Sequence, residues 1–162
     1  MDLFKKDQLA QIGKKLIAQK ETVAVAESVT AGAIQLAISS IMDAGKFYQG
    51  GITAYNIAQK YKHLGVEPIH ALEVNCVSEK VAGEMALNVL GLFNSDWGIA
   101  ITGYASPVPE SDNQVFAYYA IAYKGKVKES GKIDPSKDES LDLQVHYTNE
   151  VCRSFNKCLA AK

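Results

Sequence analysis

Two short apolar segments, TVAVAES at residues 22–28 and WGIAITG at 97–103, constrain the fold more than any other feature of this sequence. Neither shows the strict alternation of polar and apolar residues that marks a half-exposed strand. Strands of this kind are buried on both faces, as happens when helices connect neighbouring parallel strands. Because helical patterns lie between the two segments, the sequence predicts an α/β fold.

The rest of the chain predicts helices, one further strand and a hairpin. Apolar residues at helical spacing predict an amphipathic helix at the N-terminus. The pair Gly50-Gly51 predicts a bulge or a close backbone approach in a strand over 46–56. Together the elements predict one three-layer α/β/α domain with a mixed sheet over residues 1–162. The other predicted elements are helices over 33–42, 57–63, 79–91 (capped by Ser78) and roughly 141–160, loops through Gly65 and Pro68 and over 105–113, and a hairpin over 115–133 with Gly125 in its turn.

Composition and charge exclude several classes of protein. With 48% hydrophobic and 22% charged residues, the chain has the balance of a globular protein rather than a disordered one. Its formal net charge of −1 predicts neither nucleic acid nor a membrane as partner, and leaves open a local basic pocket for a small anion. Three cysteines without a CxxC pair and three histidines without ligand spacing predict neither a disulfide framework nor a metal site. The N-terminus lacks the apolar core of a signal peptide, so we expect a cytoplasmic protein.

Ser28 lies where an α/β sheet presents side chains to a ligand, directly after a buried strand and before a helix. We expect the helix that begins near Thr30 to direct free backbone N–H groups and its positive dipole at the same place. Such a place binds a phosphate or carboxylate, or stabilises an oxyanion. A structural interpretation stays open, in which Ser28 or Thr30 only caps the helix.

A serine nucleophile needs a base, and the sequence offers a lysine for this role. The G-x-S-x-G elbow is absent around Ser28, and no histidine has the context of a catalytic triad. Lys60 is the candidate base, since burial can lower a lysine pKa, and Tyr55 precedes it by five residues. Thr102 and Gly103 end the second buried strand, at the edge where Ser28 is expected. The alternatives are a solvated Lys60, a Tyr55 that only packs in its strand, and a Gly103 that only permits a turn.

Four segments of the chain follow the order of motifs known from one family. AESVTAG at 26–32 matches A-E-S-C-T-G-G, and residues 50–66 match G-G-x-x-x-Y-x-x-x-x-K followed by L-G-V. NCVSEKVA at 75–82 matches G-A-V-S-E-x-V-A, and TGYASP at 102–107 matches T-G-x-A-G-P. The chain therefore resembles the C-terminal domain of the competence/damage-inducible CinA proteins. The likeness covers most of the chain and implies the fold of that domain.

The resemblance also implies a reaction, because stand-alone members of this family include nicotinamide mononucleotide deamidases. Ser28 would attack the carboxamide, Lys60 would take its proton, and Tyr55 would orient or assist, with no metal or other cofactor. Ammonia would leave, and water would release nicotinate mononucleotide. Thr102 and the backbone after Ser28 would contact the substrate or stabilise the oxyanion. A homo-oligomer such as a dimer is implied as well. The implied substrate-binding positions are Glu27, Thr30, Ala31, Gly32, Gly50, Gly51, Thr102 and Gly103.

The chain departs from the family pattern where the substrate is expected to bind. Val29 replaces a cysteine, Ala31 and Ser106 each replace a glycine, and residues 138–144 lack the arginine usual before the last helix. Arg153 lies too far along that helix to be an obvious replacement. Arginine binds carboxylates or phosphates with two hydrogen bonds, so its loss predicts weaker anion binding. Two other functions therefore stay open: a catalytically weak protein that binds a nucleotide, a metabolite or a protein partner, and an amidase for a different, less anionic amide.

Overall fold

The computed structural model describes residues 2–135 and 140–162, and its centre is a sheet of five strands. The strands are β1 (Val23–Glu27), β2 (Tyr48–Thr53), β3 (Trp97–Gly103), β4 (Ala117–Tyr123) and β5 (Lys126–Ile133). Their order in the sheet is β2-β1-β3-β4-β5. β1 pairs in parallel with β2 and β3, whereas β3 with β4 and β4 with β5 pair antiparallel. The sheet is therefore mixed, as the sequence predicts.

Helices cover both faces of this sheet. They are α1 (Lys6–Gln19), α2 (Ala33–Ser39), α3 (Ile57–Leu64), α4 (Pro68–Glu73), α5 (Glu79–Phe93) and α6 (Ser140–Ala160). Buried residues of α1, α2 and α6 share one apolar core with the sheet, and those of α3, α4 and α5 share a second core on the opposite face. The predicted α/β fold class is confirmed.

The two faces of the sheet differ in side-chain size because residues alternate along the central strands. In β1, both valines pack into the core beneath α1, α2 and α6, whereas Ala24 and Ala26 pack toward α5. Gly98 in β3 also lies against α5, where a Cβ atom would overlap the carbonyl oxygen of Ala86. Small residues thus let α5 approach the sheet backbone closely, and the bulky residues fill the space on the other face.

The predicted irregularity in the second strand is confirmed. Val23 of β1 pairs with Tyr48 of β2, whereas the next residue, Ala24, pairs with Gly50. β2 therefore contains one extra residue just before Gly50. Gly50 has a φ of +135°, which a residue with a side chain rarely adopts. A Cβ atom on Gly50 would lie 2.8 Å from the Phe93 ring, so the glycine also permits a close approach of α5.

Cap and turn predictions are confirmed as well. Ser78 Oγ accepts the N–H of Val81 at 3.1 Å and caps α5. The hairpin between β4 and β5 turns at Lys124 and Gly125, which both have positive φ, as a two-residue type I′ turn requires.

One predicted loop is wrong, and two further segments differ in detail. The loop predicted through Pro68 is helix α4, because Pro68 occupies the first helical position and the Glu67 carboxylate accepts two N–H groups of the first turn. The helix predicted over 33–42 ends at Ser39. The loop predicted over 105–113 contains one 3₁₀ turn, Pro109–Ser111.

Candidate active site

A cavity of about 530 Å³ opens at the sheet edge where the parallel strands end. Ser28 follows β1, and Thr102 and Gly103 end the neighbouring parallel strand β3, so the topology brings them to this edge. α3, α4 and the loop after β3 form the other walls. This is the position at which open α/β sheets bind their ligands.

Ser28 and Lys60 meet in the wall of this cavity. Lys60 Nζ lies 2.9 Å from Ser28 Oγ and 3.0 Å from the carbonyl oxygen of Ala54. Ser28 is 6% exposed and Lys60 is 2% exposed. A separation of this length allows a proton to pass directly between a nucleophile and its base. The fold therefore joins two residues that lie on different elements and far apart in the sequence.

Burial lowers the pKa of Lys60 below its usual 10.5, because removal of an ammonium group from water disfavours the charged form. The nearby Cys76 opposes this shift with a smaller effect. Within residues 2–135 and 140–162, no carboxylate forms a salt bridge with Lys60 to offset the lost solvation. The Lys60 amine thus gives up its proton more readily than an exposed lysine, as a general base must.

The ends of α3 fix the position of Lys60. Asn56 caps the helix by accepting the N–H of Gln59 at 3.0 Å, one residue before Lys60. Gly65 ends the helix with a φ of +58°, a value that glycine adopts at little cost. Lys60 therefore projects from a short helix that is defined at both ends.

Glu27, next to the candidate nucleophile, holds the turn that leads into α2. It is fully buried, and its carboxylate accepts hydrogen bonds from the Thr30 hydroxyl, from Ile34 N–H at 3.0 Å and from Gln35 N–H at 2.7 Å. The expectation that α2 offers these N–H groups to a substrate is thus wrong, because Glu27 already uses them. The cap position of α2 is Gly32, so neither serine nor threonine caps this helix through its side chain.

The other implied substrate-binding positions separate into two groups. Thr102 and Gly103 line the cavity, and the Thr102 hydroxyl donates to the Cys76 carbonyl at 2.7 Å. This hydrogen bond holds a tight turn, since Asn75 and Cys76 both have positive φ. The positions that do not line the cavity are Glu27, Thr30, Ala31, Gly32, Gly50 and Gly51. Of these, the glycines of β2 leave room for neighbouring side chains instead.

Tyr55 lies on the cavity wall and is 68% exposed. Because its aromatic side chain faces open space at the cavity, the residue is available to a bound molecule.

The lining also includes polar residues that are missing from the sequence-based site, among them Gln144, Asn75, Tyr104 and Glu110. Gln144 on α6 donates from Nε2 to the carbonyl oxygen of Val29 at 2.9 Å, directly after the candidate nucleophile. Asn75 donates to the Tyr104 hydroxyl at 3.2 Å, and this bond joins two loops of the wall. Glu110 lies on the 3₁₀ turn of the same wall. Asn75 lies in the motif at 75–82, Glu110 in the predicted loop over 105–113 and Gln144 in the segment without the family's arginine, so the sequence singled out these segments but not these residues.

Some expected features fall outside this site. Residues 136–139, which include part of the segment without the family's arginine, lie outside the described residues. Arg153 pairs with Glu150 on α6 and does not line the cavity.

In the described part of the chain, no three His, Cys, Asp or Glu side chains are grouped to hold a metal ion. No described helix combines the length and apolarity needed to cross a bilayer.

Comparison with protein families assigns this domain. A model of the CinA C-terminal domain matches residues 5–143, a range that includes Ser28, Tyr55, Lys60 and Thr102. The chain belongs to the CinA C-terminal domain family. The resemblance seen in the four sequence motifs is therefore confirmed.

The curated relatives of this CinA-domain chain are longer proteins. A CinA-like protein from Picosynechococcus sp. (strain ATCC 27264 / PCC 7002 / PR-6) is 40% identical over 112 residues, which cover 69% of this chain and 27% of the relative. A CinA-like protein from Rippkaea orientalis (strain PCC 8801 / RF-1) is 35% identical over 129 residues, which cover 79% of this chain and 30% of the relative. The chain thus spans less than a third of the length of these relatives.

Solved structures of CinA-type proteins share the fold of this chain. The competence damage-inducible protein A from Klebsiella pneumoniae subsp. pneumoniae MGH 78578 superposes with a TM-score of 0.90 at 24% identity, over 96% of both chains. A competence-damaged protein (CinA) superfamily member from Escherichia coli has a TM-score of 0.79 at 27% identity, over 96% of this chain and 86% of the other. The five-stranded mixed sheet with its flanking helices is therefore the CinA superfamily fold.

Proposed function

We propose that this chain is an amidohydrolase that converts nicotinamide mononucleotide to nicotinate mononucleotide and ammonia, with Ser28 as nucleophile and Lys60 as general base. The observation that carries the proposal is the 2.9 Å separation between Lys60 Nζ and Ser28 Oγ in the cavity wall. The substrate is the one implied by the family, whose stand-alone members include such deamidases.

The reaction begins with Lys60 in its neutral form. Lys60 Nζ takes the hydroxyl proton of Ser28 while Oγ forms a bond to the carboxamide carbon, and the carbonyl oxygen becomes an oxyanion. Lys60 then gives this proton to the amide nitrogen, the C–N bond breaks, and ammonia leaves an ester on Ser28. Water attacks the ester as Lys60 accepts one of its protons. Collapse of the second intermediate returns that proton to Ser28 Oγ and releases the carboxylic acid, which then loses its proton to solvent to give the carboxylate.

Backbone amides next to Ser28 are suited to stabilise the oxyanion. The Ser28 N–H is already used, because it donates to the carbonyl oxygen of Ile101 at 3.2 Å. Val29 lines the cavity, and its N–H group donates to no backbone oxygen in the described part of the chain. Donors placed in this way strengthen their hydrogen bonds as charge develops on the substrate oxygen.

The test is ammonia release from nicotinamide mononucleotide by the purified chain. We expect turnover by the unaltered chain, loss of turnover in Ser28→Ala, and unchanged turnover in Ser39→Ala. Ser39 is a matched control because its exposed hydroxyl bonds only to its own helix, at Leu36. Turnover that survives Ser28→Ala contradicts the proposal. Thermal stabilisation by the nucleotide without any ammonia release would instead support a binding protein.

A further inference from the structure

The charges around the cavity are unusual for a site that binds a phosphate. Two charged side chains line it among the described residues, the buried Lys60 and the exposed Glu110. Burial lowers the pKa of Lys60, and the proposed reaction requires its neutral amine. Lys60 is buried against Ser28 Oγ and the Ala54 carbonyl, so Glu110 is the exposed charged side chain of the described lining, and it is acidic.

One cation beside the cavity wall, Lys132, is already paired with an acidic side chain. Lys132 lies 4.4 Å above the Phe116 ring, which in turn packs against Tyr104 of the cavity wall. The Lys132 ammonium is 3.1 Å from the Asp134 carboxylate, so its charge is largely compensated. The sequence of residues 136–139 contains one lysine and two acidic residues, and therefore adds no net positive charge.

The walls of the cavity suit a flat aromatic ring. Tyr55 and Leu72 are 68% and 69% exposed, and both line the cavity together with Tyr104 and Val108. Aromatic faces attract cations, and apolar side chains favour a planar ring over a hydrated ion. A carboxylate beside such a surface adds an attraction for positive charge.

We propose that Glu110 determines specificity at this site: it favours a carboxamide on a cationic aromatic ring, such as an N-ribosyl pyridinium, and it disfavours a phosphate on the same molecule. This inference rests on the proposed function, since it concerns the substrate of the Ser28–Lys60 pair. Within the class of nicotinamide ribosides and ribotides, it makes the phosphate-free riboside the better substrate.

The test compares nicotinamide riboside with nicotinamide mononucleotide as substrates of the unaltered chain. We expect kcat/KM to be roughly fivefold or more higher for the riboside at low ionic strength, since one charge pair near a protein surface contributes on this scale. Glu110→Gln should lower kcat/KM for the riboside by about threefold or more, mainly by raising KM. The ratio of kcat/KM for the riboside to kcat/KM for the mononucleotide should therefore decrease. Glu110→Lys should invert the preference. Raised salt should weaken each effect, because Glu110 is exposed.

Glu73→Gln is the matched control for the loss of one negative charge. Glu73 is exposed on α4 next to Leu72, yet it does not line the cavity, so we expect no change in the ratio of the two substrates. A preference for the mononucleotide in the unaltered chain would overturn the inference, as would a ratio that Glu110→Gln leaves unchanged.

Failure of the proposed function gives a different result. If neither compound releases ammonia, the affinities of both are measured by thermal shift with the Ser28→Ala chain. Tighter binding of the riboside, weakened by Glu110→Gln, supports the charge preference without the reaction. Tighter binding of the mononucleotide, or binding of neither compound, overturns the charge preference too.

Discussion

Replacement of Lys60 by methionine separates the catalytic role of this side chain from its structural role. Methionine keeps most of the length and apolar volume of lysine but has no amine. The variant therefore loses the hydrogen bonds to Ser28 Oγ and to the Ala54 carbonyl, while the rest of the buried stem keeps its packing. Chemistry and stability should respond very differently to this change.

Catalysis should fall steeply in Lys60→Met. A positioned general base contributes about 10²–10⁴-fold to rate, so we expect kcat for ammonia release to fall by at least about 100-fold. Substrate binding should change little, because Lys60 contacts the nucleophile rather than the exposed walls of the cavity.

Stability should change much less than activity in the same variant. Loss of two hydrogen bonds costs about 1 kcal/mol each. Removal of an amine whose pKa is lowered by burial offsets this loss, at about 1.4 kcal/mol for each unit of that shift. We therefore expect the free energy of unfolding at pH 7 to change by less than about 2 kcal/mol, as measured by urea denaturation.

The pH dependence of both properties gives a second readout of Lys60. Because the folded pKa lies below the unfolded value of 10.5, the unfolded chain binds more protons between these two values, and Lys60 makes stability rise with pH across that interval. The kcat/KM of the unaltered chain should rise as pH passes the lowered pKa. Both trends should be absent from Lys60→Met. Activity within tenfold of the unaltered chain, or collapse of stability and activity together, would refute the assignment of Lys60 as base.

Three further predictions concern the scaffold and the wall of the cavity. Glu27→Gln should lower the free energy of unfolding by about 2 kcal/mol or more in urea denaturation, because the buried amide N–H₂ of glutamine would face N–H donors that now bond to the carboxylate. An unchanged denaturation midpoint would argue against the proposal that Glu27 holds the turn into α2. Gly98→Ala should destabilise by a similar amount through overlap with α5, whereas Gly91→Ala, which has open space around its Cβ position, should stabilise slightly. Iodoacetamide should block ammonia release through Cys76, with a rate that still increases as pH passes 9 because burial raises the pKa of this thiol above its usual 9.0, and Cys76→Ser should abolish the effect.

Much of the fold was predictable from sequence because its elements carry local signals. The apolar run of β1, the glycines of β2, the Ser78 cap and the turn at Gly125 each depend on nearby residues, and each is confirmed. Helix α4 escaped prediction because Pro68 suggested a break, whereas it begins the helix.

The site residues could be predicted only from the order of the four family motifs along the chain. Sequence spacing gives no distance between Ser28 and Lys60, because their approach depends on parallel pairing of β1 and on the placement of α3. The role of Glu27 was also hidden, since its partners lie up to eight residues later and become neighbours only in the folded turn. Gln144 reaches the cavity from the last helix, through a contact that no local pattern encodes.

A double-mutant cycle between Ser28 and Lys60 tests the central claim, that these two side chains act as one catalytic unit. The measurement is kcat for ammonia release in Ser28→Ala, Lys60→Met and the double variant. Because neither residue contributes to catalysis without the other, we predict that the double variant loses no more activity than the less active of the two single variants. Losses that multiply in the double variant, or a single variant that keeps the activity of the unaltered chain, would contradict the account.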